Sequence, residues 1–243
     1  MFLVDLLFPK FCAGCGKVGT YLCNKCLWDI QQTDLVCPQC ERLSVGGLTH
    51  PLCKRRYGLD GLWSLGIYQD PLRKIIQKLK YKFVKDVGET LISLTLKYWV
   101  KFTPQLLEEL KKDQGEGWVV IPVPLHPKRQ RFRGFNQSAQ LGKLLAQKIG
   151  LDYQEVLKRI KYTKPQVGLK GKERRENLKN AFEIDPSPSL PDQDDKLCSK
   201  NYTQLVNCLL IDDVWTTGST IKECCYVLKK AGAQKVWAIT LAR

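Results

Sequence analysis

Two adjacent aspartates stand directly before a run of hydroxyl and glycine residues in the last fifth of the chain. Asp212 and Asp213 end an apolar segment, and the sequence continues as VWTTGST over residues 214–220. Backbone N–H groups and hydroxyls at the start of a helix suit a phosphate. Neighbouring carboxylates suit a diol, which donates two hydrogen bonds. The combination predicts a sugar 5-phosphate as ligand; the alternative is an acidic helix cap without a ligand.

A cationic segment follows another apolar run earlier in the chain, at IPVPLHPKRQRFRGFNQ, residues 121–137. A basic loop at the end of a strand, closed by a glycine beside a helix N-terminus, suits a pyrophosphate. The candidate residues of this loop are Lys128, Arg129, Arg131, Arg133 and Gly134. The P-loop pattern is absent, so the phosphate sites are of another kind.

Seven of the 11 cysteines lie between Cys12 and Cys53, in three CxxC pairs and one HxxC pair. Paired thiolates at this spacing bind zinc, and two such pairs complete a tetrahedron. The simplest division gives one structural site to Cys12, Cys15, Cys23 and Cys26, and a second to Cys37, Cys40, His50 and Cys53. An interleaved pairing is the alternative, and disulfides are disfavoured in a cytosolic chain.

The elements that must position these residues alternate between apolar strands and amphipathic helices. Strands are expected at 62–68, 118–124, 206–212 and 235–242, and helices at 70–81, 88–100, 138–150 and 219–232. Pro71 is expected at the first position of its helix. Buried strands alternating with helices predict an α/β fold with a doubly wound parallel sheet.

Two polar segments interrupt this alternation. Residues 163–182 are highly charged without an apolar core face, which predicts a mobile flap. Residues 185–204 are rich in proline and polar residues, which predicts a solvated insert or a mobile loop. Residues 1–57 form the expected zinc-binding domain and residues 58–243 the expected α/β domain.

The formal charge of +15 is unevenly distributed. Between Leu125 and Phe182 there are 15 Lys and Arg residues against 4 Asp and Glu residues. This excess of positive charge is larger than one small ligand needs, and aromatic residues are interspersed among the cations. The segment therefore predicts contact with single-stranded nucleic acid. A solvated basic face is the alternative. The N-terminus lacks a basic leader, and no run reaches the length of a membrane span, so we expect a cytoplasmic protein without one.

These motifs together resemble the ComF family of competence proteins (ComFC type) over essentially the whole chain. The shared features are the cysteine pairs, PVPLHPKR, RGFNQ, the DDVWTTGST turn, and the spacing of Gln166, Leu169, Arg174, Asn177, Ala181 and Phe182. The DDVWTTGST turn alone resembles the site of type I phosphoribosyltransferases for phosphoribosyl pyrophosphate (PRPP). The chain departs from the pattern at His50, at Trp215 and in the 185–204 insert.

The resemblance implies a type I phosphoribosyltransferase-like domain that binds PRPP with Mg²⁺, and a role in natural transformation with incoming single-stranded DNA and other competence-machinery proteins. Its implied catalytic residues are Asp212, Asp213 and Arg133. Its implied PRPP contacts are Asp212, Asp213, Thr216, Thr217, Gly218, Ser219, Thr220, Lys128, Arg129, Arg133 and Gly134. Arg131, Arg133, Arg174 and Arg175 are the expected contacts to nucleic acid. Two alternatives remain open: a nucleobase-salvage phosphoribosyltransferase and a non-catalytic PRPP sensor.

Overall fold

The structure is a computed structural model, and it describes residues 9–81, 85–102, 106, 109–110, 117–162, 178–185 and 207–243. The main sheet contains β1 (Gly61–Gly66), β2 (Trp118–Pro122), β3 (Asp152–Tyr153), β6 (Asn207–Val214) and β7 (Lys235–Ala242). All neighbouring strands are parallel, in the order β1-β7-β6-β2-β3. Two further strands, β4 (Leu157–Arg159) and β5 (Phe182–Ile184), form a separate antiparallel pair.

Helices cover both faces of the main sheet. In the described part of the chain the helices are α1 (Asn24–Trp28), α2 (Leu72–Tyr81), α3 (Lys85–Phe102), α4 (Pro127–Arg133), α5 (Gln137–Ile149) and α6 (Ser219–Lys230). Of these, α2, α3, α5 and α6 contribute buried residues to the cores on the two faces of the sheet. Along β6, Leu209 and Ile211 belong to the core shared with α2, α3 and α5, whereas Cys208 and Leu210 belong to the core shared with α6. This alternation of period two separates the two cores and confirms the doubly wound α/β fold, which fits a phosphoribosyltransferase-like domain.

The long elements lie where the sequence predicts them, with shifts at their ends. The first α/β helix begins at Leu72. The prediction that Pro71 occupies its first position is therefore wrong by one residue, because Pro71 directly precedes the helix. The basic segment after β2 is also not a loop, because residues 127–133 form α4. The His126 side chain accepts from Lys128 N, Pro127 is the first helical residue, and Gly134 ends the helix in the left-handed conformation. These are ordinary helix-boundary signals.

Part of the predicted flap packs against the protein. Leu178, Ala181 and Phe182 are buried in the core that contains α6, so the expectation of no apolar face is wrong for this end of the segment. Residues 163–177 of the flap and residues 186–206, which include most of the insert, lie outside the described residues. Among the residues that are described, no helix combines the length and apolar character that crossing a bilayer requires.

The cysteine-rich segment packs directly on the α/β core. Cys12, Leu22 and Cys26 belong to the same buried cluster as α2 and α3. At the edge of the sheet, Leu48 forms a bridge with Gly61, and Thr49 N donates to Asp60 O at 2.8 Å. The buried core is therefore continuous across the predicted boundary between residues 57 and 58.

Candidate functional site

The two aspartates lie at the carboxyl end of the central strand β6. Asp213 is buried, and Asp212 is half-buried at the edge of the sheet. Ligands of open α/β sheets bind at this edge, because strands of one direction deliver their following loops and helix N-termini to it. The fold therefore puts both carboxylates where a ligand can reach them.

Three side chains from other elements contact the acidic pair. Ser138 Oγ donates to Asp212 Oδ1 at 2.8 Å, and Gln137 Nε2 donates to Asp213 Oδ2 at 3.1 Å, both from the first turn of α5. Lys80 Nζ, at the end of α2, lies 3.1 Å from Asp213 Oδ2. Sequence reasoning missed the role of Lys80, since no motif links this helix position to the aspartates.

The surroundings of the two aspartates favour the protonated form of Asp212 and the charged form of Lys80. Burial and the neighbouring charge of Asp213 raise the pKa of Asp212 to about 7, although the hydrogen bond from Ser138 opposes the shift. Burial lowers the pKa of Lys80, but attraction by Asp213 outweighs this effect, so the pKa is raised and the ammonium form is favoured. The site therefore prefers hydrogen-bond donors or cations beside its carboxylates.

The turn after β6 is built around Trp215 and Gly218. Trp215 is buried, and its backbone N–H donates to Ala242 O at 2.8 Å. Gly218 has a φ of 67°, and a Cβ added there would lie 2.1 Å from the Trp215 ring. Thr217 Oγ1 and Ser219 Oγ are hydrogen-bonded at 2.8 Å just before α6 begins. The tryptophan is thus the packing surface beneath the predicted phosphate turn, and Gly218 is required there.

Arg133 reaches the acidic pair through one intermediate residue. Arg133 Nη1 donates to Gln137 Oε1 at 3.2 Å, and the same glutamine donates to Asp213. Asn136 orients the start of α5, because Nδ2 donates to Val123 O at 3.1 Å and Oδ1 accepts from Ser138 N at 3.1 Å. Asn136, Gln137 and Ser138 were absent from the predicted site residues, although the RGFNQ motif includes two of them.

The remaining cations of α4 lie beside an exposed aromatic residue. Lys128 Nζ and the Arg129 guanidinium lie 5.4 and 5.9 Å from the Tyr162 ring centroid. The His126 ring meets Tyr162 edge-on, with 5.0 Å between centroids. Burial and the nearby cations, Arg159 first among them, lower the pKa of His126. We call His126, Lys128, Arg129 and Tyr162 the Tyr162 patch; Arg131 lies exposed on the same helix, and Arg174 and Arg175 lie outside the described residues.

The first cysteine group has the geometry of a tetrahedral metal site. The Sγ atoms of Cys12, Cys15, Cys23 and Cys26 all lie within 4.8 Å of one another. Cys15 Sγ and Cys23 Sγ are 3.6 Å apart, and tetrahedral bonds of about 2.3 Å would place thiolates roughly 3.8 Å apart. Cys23 N donates to Cys12 Sγ at 3.3 Å. This group could hold a metal ion such as zinc.

The second group consists of Cys37, Cys40, His50 and Cys53, again with ligand atoms within 4.8 Å of one another. His50 Nδ1 lies 3.3 Å from Cys40 Sγ, and its Nε2 lies 2.9 Å from Leu43 O. A ring nitrogen held by a carbonyl fixes the other nitrogen toward a metal. The structure therefore brings together the simpler of the two predicted pairings, with His50 in a ligand position.

Comparison with known proteins identifies the family. No family model matches the chain. Competence protein F of Haemophilus influenzae is 31% identical over 235 residues, which cover 96% of this chain and 90% of that protein. The DNA utilization protein YhgH of Salmonella typhi is 29% identical over 91% of this chain and 90% of its own. Competence protein ComFC of Streptococcus pneumoniae is 34% identical over 58% of this chain and 54% of its own. This chain, with its parallel sheet and two cysteine-rich groups, therefore belongs to the ComF family of competence proteins.

Proposed function

We propose that the chain binds PRPP with Mg²⁺ through a type I phosphoribosyltransferase-like site and handles incoming single-stranded DNA in the cytoplasm. One observation carries the first part: Asp212 and Asp213 lie at the carboxyl end of β6, directly before a turn whose N–H groups begin α6. Carboxylates for a diol and a helix N-terminus for a phosphate thus occur within nine residues. That distribution of polar groups matches a ribose 5-phosphate.

Each predicted contact has a chemical role in this proposal. Asp212 and Asp213 accept hydrogen bonds from the two ribose hydroxyls, and the turn binds the 5-phosphate through Thr216, Thr217, Gly218, Ser219 and Thr220. Lys128, Arg129, Arg133 and Gly134 are the proposed contacts to the pyrophosphate, and Lys128 and Arg129 also lie beside the Tyr162 ring. The carboxylates and hydroxyl oxygens at this edge are ligands that Mg²⁺ accepts. When bound, Mg²⁺ would neutralise charge on the departing pyrophosphate.

Arg133 is the side chain best placed to assist departure of the pyrophosphate. Its guanidinium donates to Gln137, which in turn donates to Asp213, so the cation is positioned relative to the acidic pair. A fixed guanidinium stabilises charge that develops on leaving oxygens.

The DNA-handling part rests on charge, aromatic exposure and relatedness. The Tyr162 patch joins three cationic or ionisable side chains to a tyrosine that is 56% exposed. Aromatic faces among cations are how proteins bind single strands without reading sequence. The names of the relatives, competence protein and DNA utilization protein, point in the same direction.

We further propose that both cysteine groups hold structural zinc. All four positions in each group are supplied by protein side chains, so a bound ion would have no open position for catalysis. Both groups lie in the cysteine-rich segment of residues 9–57, which is too short to fold on a core of its own. Metal binding would therefore supply much of its folding free energy.

The PRPP proposal predicts a ligand-dependent rise in melting temperature. PRPP with Mg²⁺ at a hundredfold excess over Kd should stabilise the chain by about 2.7 kcal/mol, which corresponds to roughly 5 to 10 °C at this size. The double variant Asp212→Asn, Asp213→Asn should lose this rise, since amides cannot replace both charged acceptors. The exposed Asp29→Asn is the matched control and should keep it. An unchanged melting temperature in the wild type would disprove PRPP binding.

Turnover is tested separately by PRPP consumption. Single-stranded DNA, nucleobases and amines are offered in turn as acceptors, and released pyrophosphate is measured. Release with a nucleobase alone would identify a salvage phosphoribosyltransferase instead. Binding without release for any acceptor would identify a PRPP sensor.

A further inference from the structure

A cavity of about 410 Å³ lies between the second cysteine group and the outer side of α6. This volume is in the range of small-ligand sites. The residues that line it and matter here are Arg55, Arg56 and Tyr57 from the connection to the sheet, and Ser219, Lys222 and Tyr226 from α6. Ser219 also belongs to the predicted phosphate turn, so the cavity and the PRPP site are adjacent.

Two aromatic rings form one part of the cavity wall. The Tyr57 and Tyr226 rings are nearly perpendicular, with 5.3 Å between centroids and an interplanar angle of 79°. Tyr226 keeps 38% of its surface exposed. The Arg56 guanidinium lies 5.2 Å from the Tyr57 ring centroid. The two rings therefore meet edge to face, and the guanidinium lies over Tyr57, which leaves the partly exposed Tyr226 ring as the surface for a stacked base.

The charge of the lining is predominantly positive. Arg55, Arg56 and Lys222 are cationic, and Arg55 and Arg56 are exposed. Among the described residues that line the cavity, Glu223 is the acidic one, and its Oε1 already accepts from Asn180 N at 2.8 Å. A ligand that combines an aromatic ring with a phosphate would find partners for both groups here.

The walls of the cavity are held in place before any ligand binds. Cys225 Sγ donates to Tyr57 O at 3.7 Å, which ties the connection to α6. Asp60 Oδ2 accepts from Val236 N at 2.8 Å and pairs with Lys229 Nζ at 2.7 Å. A preformed site loses little conformational entropy on binding.

We propose that this cavity binds one nucleotide of single-stranded DNA, with its base on the Tyr226 ring and its phosphates beside Arg55 and Lys222. This inference rests on the single-stranded DNA part of the proposed function and names a site for it outside the predicted contacts. A single strand can turn an unstacked base into a recess, whereas a duplex keeps its base faces covered. Because Ser219 is shared, the bound strand passes next to the PRPP turn.

The test measures binding of a labelled oligothymidylate to the full chain, with fluorescence anisotropy as the readout. Tyr226→Ala should weaken binding by about 5- to 100-fold, the effect of losing one stacked base. Tyr226→Phe keeps the ring and should bind like the wild type. Arg55→Ala should lower the slope of log affinity against log salt by about 0.7, the value of one phosphate contact in a single strand. Trp28→Ala, an 81% exposed aromatic residue on α1, is the control and should leave binding unchanged.

The outcomes separate this inference from the proposed function. Wild-type affinity in Tyr226→Ala, with melting temperature unchanged, would overturn the cavity while leaving DNA handling intact. Absence of binding by the wild type would overturn both. Equal affinity for thymidine monophosphate or for duplex DNA would also overturn the cavity as a single-strand site. The PRPP-induced rise in melting temperature should persist in Tyr226→Ala, because the variant does not alter the acidic pair.

Discussion

Lys80 places a positive charge against a carboxylate that the proposed ligand would also use. Its ammonium lies 3.1 Å from Asp213 Oδ2, and both side chains are largely buried. Two adjacent carboxylates would otherwise repel each other in a partly desolvated site. The lysine therefore stabilises the acidic pair before a ligand arrives, and it stands beside the ribose position in the proposed complex.

Lys80→Met is expected to lower the free energy of unfolding by roughly 2 to 4 kcal/mol at pH 8, because it leaves the buried carboxylates without their ammonium partner. The folded-state pKa of Asp212 is already raised to about 7, above its unfolded value of about 4, and loss of the ammonium raises it further because Lys80 lowers it. Such a group contributes stability that is present below pH 4 and lost as the pH rises through the folded pKa. The destabilisation, measured by urea unfolding, should therefore be smaller at pH 5 than at pH 8.

The matched control lies on the same helix. Lys74 pairs with the exposed Asp70 at 3.2 Å, and an exposed pair contributes at most about 1 kcal/mol. Lys74→Met should therefore change stability little at either pH. Equal losses for the two variants, or a loss for Lys80→Met that does not vary with pH, would contradict the stabilising role of Lys80.

Single residues differ in how far their roles follow from the sequence. Asp212 and Asp213 are adjacent to each other and to the turn, so the local pattern alone predicts their position at the end of β6. Lys80 has no such pattern, because its contact with Asp213 depends on how α2 packs against the sheet. Ser138 is an intermediate case: the start of α5 was predicted, but its hydrogen bond to Asp212 requires the order of β2 beside β6.

At the scale of elements, the turn between β6 and α6 needs a left-handed backbone at Gly218 and room for the Trp215 ring beside it. Gly218→Ala is expected to lower the free energy of unfolding by about 2 kcal/mol or more, because the added Cβ meets the Trp215 ring and the left-handed conformation disfavours it. It should also abolish the PRPP-induced rise in melting temperature, since the turn must shift. Thermal unfolding with and without PRPP and Mg²⁺ measures both effects.

Gly150→Ala separates the two contributions. Gly150 has a φ of 70° at the end of α5, and an added Cβ there would have nothing within 4 Å. This variant should cost only about 1 kcal/mol, the backbone term alone, and should keep the response to PRPP. Similar losses for both glycines would mean that the Trp215 contact contributes nothing.

Long elements were predictable and short ones were not. The buried strands β6 and β7 and the amphipathic helix α5 carry strong periodic patterns, so they appear within about two residues of their predicted bounds. Helix α4 has seven residues, four of them cationic, and no apolar period, so composition suggested a loop. Strands β4 and β5 have three residues each and pair across a long connection, which leaves no local signal.

At the scale of the whole molecule, the cysteine-rich segment contributes to two sites at once. The first group anchors the segment to the core of α2, the helix that carries Lys80, because Cys12, Cys23 and Cys26 belong to that core. The second group forms one end of the cavity beside α6 through Cys53. The segment thus contacts both helices that flank the candidate PRPP site, which makes the two cysteine groups relevant to more than local stability.

Removal of the proposed zinc ions is accordingly expected to destabilise the α/β core. The purified chain should hold two zinc ions, and Cys26→Ser should lower this number to about one. The variant should also reduce the melting temperature of the whole chain, because Cys26 is 4% exposed within the shared core. Hydrogen exchange should accelerate in α2 and α3.

Cys53→Ser should also cost one zinc, but its exchange changes should stay near the cavity and residues 37–59, since Cys53 lies outside that core cluster. Full protection of α2 and α3 in zinc-depleted Cys26→Ser would show that the cysteine segment folds independently of the sheet.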